Sequence, residues 1–123
     1  MNAIRVMIVE DSATVRQLLI HLINADPRLE VVASAASAEE ALNVLARARP
    51  DVITMDIRLP GMNGFEATAL IMSRQPTPVV VVSASIEAED LNITMNALHA
   101  GALSVIEKPV GIAHADYEPM SKK

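Results

Sequence analysis

Two hydrophobic patterns alternate along this chain, and the alternation restricts it to very few folds. Short apolar, β-branched runs of the kind that form buried strands stand at Arg5 to Val9, Glu30 to Ser34, Asp51 to Met55, Val79 to Val82 and Ser104 to Ile106. Stretches with helical spacing lie between them. Val15, Leu18, Leu19, Leu22 and Ile23 fall at i, i+3, i+4, i+7 and i+8, which lays one apolar stripe along a helix from about Ala13 to Ala25. Pro27 stops that helix. The S-x-x-E signature from Ser37 to Glu40 starts a second, with the two side chains placed to satisfy orphan N–H groups reciprocally, and it runs to about Ala48. A third begins near Gly64 or Phe65 and ends before Pro76. A fourth carries Leu91, Met95 and Leu98 on one side and is closed by Gly101 as its C′ residue.

This is βαβ organisation, and it predicts an α/β fold built on a doubly wound sheet of five parallel strands. The first, third and fourth runs are apolar nearly throughout, so they are expected at the centre, covered on both faces. A hydrophobic fraction of 51% with almost no aromatic residues suits β-branched strands packed under aliphatic helices. The chain has 123 residues, room for one core of ordinary size, so a single site is sought.

Charge and composition exclude several classes of partner. The net charge is −5 without any run of Lys or Arg, so the electrostatic drive toward nucleic acid or an acidic membrane is missing. Proteins are the expected partners. No apolar run approaches the roughly twenty residues of a membrane span, and the stretch from Met1 to Val9 lacks the length and flanks of a signal peptide. The expectation is a soluble, cytoplasmic protein. With no Cys, disulfides and thiolate chemistry are excluded, and any metal must be held by oxygen or imidazole.

In doubly wound sheets ligands bind outside the carboxyl ends of the strands. Those ends carry Glu10 and Asp11 after the first strand, Asp56 after the third, Ser83 after the fourth and Lys108 after the fifth. Each residue alone has an ordinary structural explanation: Asp11 and Ser12 can cap the first helix, Asp56 can bond its own turn, Ser83 can decorate a loop, and Lys108 can be a solvated surface lysine. Together they are harder to dismiss, because carboxylates on adjacent strands repel one another unless a cation sits between them. Mg²⁺, which takes one or two carboxylates plus phosphate oxygen, fits Asp11 and Asp56. The Lys108 ammonium and Ser83 hydroxyl can then neutralise the remaining oxygens of a phosphoryl group in transfer. Asp56 would be the nucleophile, since an aspartate, with an ordinary pKa of about 3.9, needs positioning and metal charge more than a general base.

The residues resemble the response-regulator receiver family, and more closely the amino-terminal domain of chemotaxis protein-glutamate methylesterases. The likeness runs from Ile4 to Pro109. It is carried by V-E-D-S at Val9 to Ser12, D-V-I-T-M-D-I-R-L-P-G-M-N-G at Asp51 to Gly64, T-P-V-V-V-V-S-A at Thr77 to Ala84 and G-A-x-x-x-x-x-K-P at Gly101 to Pro109. The resemblance implies a flavodoxin-like sheet of order 2-1-3-4-5. It implies Asp56 as the phosphoacceptor, with Asp11 as a direct Mg²⁺ ligand, Glu10 acting through water and the backbone carbonyl of Arg58 as a further ligand. Ser83 and Lys108 match the hydroxyl and lysine that hold the phosphoryl oxygens, and the Lys108–Pro109 bond is a candidate for cis.

As partners the resemblance implies a chemotaxis-type histidine kinase and a covalently linked effector, a methylesterase, so that this chain is not itself an enzyme beyond its own phosphorylation and dephosphorylation. The alternative function is a receiver-shaped interaction module that is no longer phosphorylated. Two departures from the family pattern stand out. Glu10 replaces the commoner Asp, and Val105 occupies the place three residues before Lys108 where many receivers carry Tyr or Phe.

Rival chemistries lack their motifs. A haloacid-dehalogenase-like hydrolase expects a second Asp where Arg58 stands, and neither a G-x-G-x-x-G loop nor a G-x-S-x-G elbow occurs. The chain therefore divides into a receiver over residues 1–109 and, over residues 110–123, a truncated fifth helix or the start of a linker. Asp116 can cap a helix starting at Tyr117, but about two turns at most would fit, and isolated helices that short are marginal. Loss of that cover is expected to bare apolar surface beside the first helix and to favour self-association.

Overall fold

The computed structural model describes residues 3–83, Gly101 and residues 104–107. In chain order the elements are β1 (Ile4–Val9), α1 (Ala13–Asn24), β2 (Leu29–Ala35), α2 (Ala38–Ala48), β3 (Val52–Asp56), α3 (Gly64–Arg74), β4 (Val79–Ser83) and β5 (Ser104–Glu107). The strands form one sheet, ordered β2-β1-β3-β4-β5, and each pairing is parallel. The three runs that are apolar nearly throughout, β1, β3 and β4, occupy its middle, where both faces are covered.

Side chains of successive strand residues point to opposite faces, which separates two cores. On one face Met7, Val9, Ile53, Met55, Val79 and Val81 pack with Ala38, Ala41 and Leu45 of α2 and with Ala67 and Ile71 of α3. On the other, Val6 and Ile8 pack with Val15 and Leu19 of α1, flanked by Ile20, Ile23, Leu29, Val31 and Val52. The α1 stripe is thus centred on Val15, Leu19 and Ile23, with Leu18 and Leu22 half-buried.

Local signals explain where the helices begin. The Ser12 side chain caps α1 by accepting from the Val15 N–H. Ser37 caps α2, accepting from Glu40 N–H at 3.1 Å, but the expected reciprocal bond is displaced by one residue: Glu40 Oε1 accepts from Ala36 N–H at 2.8 Å. The full capping box lies instead at α3, between Asn63 and Glu66. Asn there takes the place of the usual Ser or Thr. α2 ends on Arg49 in the left-handed region, φ 47, with no glycine to mark it. Two carbonyls at that helix end accept from the Arg5 guanidinium, Ala48 O at 2.6 Å and Arg49 O at 3.3 Å, a cation where the helix dipole favours one.

Two strand boundaries differ from expectation in a way that bears on the site. β3 runs one residue later than Asp51 to Met55, and β4 one residue beyond Val82. Asp56 and Ser83 are therefore the last residues of their strands, held by the ladder, and not the first residues of loops. The predicted fourth helix with Leu91, Met95 and Leu98, the Lys108–Pro109 bond and the 110–123 tail lie outside the described residues. Gly101, the expected C′ residue, has φ 109.

Candidate functional site

The ends of β1 and β3 bring the site together. Val9 pairs with Met55, so the residues that follow them, Glu10 and Asp56, continue on neighbouring strands spaced about 4.8 Å apart, with Asp11 next along. One carboxylate oxygen from each of Glu10, Asp11 and Asp56 lies within 4.8 Å of the others. Glu10 is 1% exposed and Asp56 4%, whereas Asp11 is open to solvent. The result is a half-buried acidic cup whose outer wall is Asp11.

Hydrogen bonds hold the β1 side of the cup. The Glu10 N–H donates to Ala35 O at 2.9 Å, continuing the pairing to β2. Glu10 Oε2 accepts from the Ser12 N–H at 3.1 Å, and the Glu10 carbonyl accepts from Arg16 Nη1 at 2.8 Å. Sequence reading did not single out Arg16. A polar residue on the fourth position of a helix carries no local sign that it reaches back to the strand end.

The β3 side is held by the loop that leads into α3. Gly64 N–H donates to Ile57 O at 2.8 Å, closing residues 57–64 on themselves. A Cβ at Gly64 would stand 2.1 Å from the Asp56 carbonyl oxygen and 2.9 Å from Ile57 Cα. Only glycine lets α3 start this close to the end of β3. Gly61, on the same loop with φ 75, lies against the Glu39 carboxylate of α2, so α2 also abuts the loop. Arg58 is exposed on that loop.

Of the remaining expected residues, Ser83 closes β4, one position beyond Val82, which pairs with Asp56, and Ser83 itself pairs with Glu107 at the end of β5. The backbone thus brings the strand ends bearing Asp56 and Ser83 together, with β5 ending beside them. Lys108, next in sequence, lies outside the described residues. A shallow, open depression of about 430 Å³ on α1, lined by Gln17, Ile20, His21, Asn24 and Ala25, contains none of these groups. Among the described residues, no helix is long and apolar enough to cross a membrane.

Three carboxylates, two of them buried, drawn to within 4.8 Å on the ends of adjacent parallel strands, form an oxygen donor set that suits a hard divalent cation. The model of the response regulator receiver domain family matches residues 6–115. The chain belongs to that family.

A protein-glutamate methylesterase/protein-glutamine glutaminase from Paramagnetospirillum magneticum is 59% identical over 120 residues, 98% of this chain and 34% of the relative. The chain thus spans about a third of the length of the curated relatives it matches. The response regulator domain of Thermotoga maritima CheB superposes with a TM-score of 0.85 at 40% identity, covering 98% of this chain and 90% of that one. A chain of the CheX–CheY–BeF₃–Mg²⁺ complex from Borrelia burgdorferi is similar with a TM-score of 0.76 at 25% identity, over 94% of this chain and 84% of that one.

Proposed function

We propose that this receiver accepts a phosphoryl group on Asp56 from a chemotaxis-type histidine kinase, in a Mg²⁺-dependent reaction, and relays the change to a covalently linked methylesterase domain of a cytoplasmic protein. The observation that carries the reading is the convergence of Glu10, Asp11 and Asp56 at the ends of β1 and β3. The likeness to whole methylesterases of which this chain matches one third supports the linked effector.

In this reading an Asp56 carboxylate oxygen forms the new bond to phosphorus as the bond from phosphorus to the donor breaks, the leaving electron pair remaining on the donor. Asp11 and Asp56 would hold Mg²⁺ directly, with Glu10 acting through water and Arg58 through its backbone carbonyl. Bound there, the ion would supply positive charge to the phosphoryl oxygens and relieve the repulsion among the carboxylates. Ser83 and Lys108 take the remaining oxygens, one as a hydroxyl donor and the other as an ammonium. The strand ladder and the Gly64 turn keep the acceptor in line, which matters because phosphoryl transfer depends almost wholly on positioning and charge.

The test is incubation with acetyl phosphate, followed by intact-protein mass spectrometry. One phosphoryl group should be gained in Mg²⁺, and none in chelator or in Asp56→Ala. Equal labelling of Asp56→Ala would remove the assignment, and no labelling of the wild type by any donor would favour a receiver-shaped interaction module.

A further inference from the structure

The peptide that joins Glu10 to Asp11 connects the two acidic residues on the β1 side of the cup, and it lies where the strand ladder stops. Glu10 N–H still has its partner in β2, Ala35 O at 2.9 Å. Beyond it the restraint comes from α1. Arg16 is anchored in the first turn, its amide donating to Ser12 O at 2.8 Å, and its guanidinium reaches back to donate from Nη1 to Glu10 O at 2.8 Å. A peptide unit is planar. Fixing the carbonyl oxygen of Glu10, when its N–H is already fixed, therefore sets the plane from which the Asp11 Cα and carboxylate project.

We propose that Arg16 is a positioning residue for metal binding, orienting the Glu10–Asp11 peptide so that the Asp11 carboxylate faces Asp56 beside that of Glu10. The proposal rests on the Mg²⁺ reading given above. Its chemistry differs from that of a counter-ion. A cation placed merely to offset the carboxylates competes with Mg²⁺, so removing it strengthens metal binding. A residue that shapes the donor set does the reverse, because the ion loses ligands already in place. A purely structural role is different again, lowering stability and leaving the affinity alone. Arginine suits the positioning role because its rigid fork carries fixed donors that cannot be deprotonated.

Isothermal titration of Mg²⁺ at constant ionic strength into the wild type, Arg16→Met and Arg16→Lys distinguishes these cases, with thermal unfolding of each apo protein measured alongside. Groups that orient metal ligands typically change affinity by about 10–100-fold when removed. Arg16→Met should bind Mg²⁺ about tenfold more weakly, at the low end because it acts on backbone, and Arg16→Lys, which keeps one donor, should recover part of the loss. Affinity equal to or tighter than wild type in Arg16→Met overturns the proposal.

A second measurement needs no substitution. The Arg16 Nε–H resonance of the wild type should shift on saturation with Mg²⁺, and a signal indifferent to the metal also overturns it. A wild type that takes up no Mg²⁺ would instead remove the metal reading itself, an outcome seen before any variant is compared.

Discussion

Replacing Gly64 with Ala tests whether the close start of α3 sets the position of Asp56. The added Cβ would sit 2.1 Å from the Asp56 carbonyl oxygen, where real Cβ contacts stay beyond 3.0 Å. The opposing atoms are all backbone, so no side chain can swing away. Either α3 or the end of β3 must retreat by about 1 Å. Overpacking of this kind costs about 1–3 kcal/mol, and weakening the bond from Gly64 N–H to Ile57 O adds about 0.5–1.5. The better helix propensity of Ala returns about 1 kcal/mol. A net loss of about 0.5–3.5 kcal/mol lowers the melting temperature by roughly 2–14 °C in a domain of this size. The effect on chemistry is expected to be larger, since a misplacement of about 1 Å can cost up to 100-fold in rate. Urea unfolding followed by circular dichroism measures the first quantity. The initial rate of acetyl phosphate labelling at 20 °C, where the variant remains folded, measures the second. A Gly64→Ala protein with wild-type stability and labelling rate would refute the reasoning.

Arg58→Ala should change the rate at which phosphoryl is lost from Asp56 much more than it changes Mg²⁺ affinity, because the ligand assigned at that position is a backbone carbonyl; lost metal binding with an unchanged rate would contradict it. Arg49→Gly should raise stability by about 0.5–1 kcal/mol in chemical denaturation, since relief of a left-handed φ of 47 outweighs the entropy glycine adds to the unfolded chain. The Arg28 side chain, bonded to Asp26 at 2.7 and 3.0 Å, holds the Asp26 carboxyl at about 2, below its usual 3.8. A lowered folded-state pKa stabilises the protein above the unfolded value and is lost as pH falls through the folded one. The stability difference between wild type and Arg28→Ala should therefore fade between about pH 3.8 and 2. An Asp26 NMR titration midpoint unmoved by Arg28→Ala would contradict the pairing.

What the sequence determined by itself was the architecture and most of the candidate site. Strand and helix periodicities are local, so β1, β3 and β4 can be recognised as buried central strands from their nearly continuous apolar character. Once a doubly wound sheet is implied, the carboxyl ends of its strands can be read off directly, which singles out Glu10, Asp11, Asp56, Ser83 and Lys108, the last outside the described residues. Tertiary structure alone decided how those residues are held. Glu10 and Asp56 are buried while Asp11 is open, and backbone pairing ties Glu10 to β2 and Asp56 to β4. Gly64 is required because two backbones meet there, and Arg16 matters because a helix packs against a strand end. Neither condition leaves a mark in the local sequence. Periodicity reports which face of an element is buried, whereas an approach of 2.1 Å or a bond of 2.8 Å between separate elements exists only after those faces have packed.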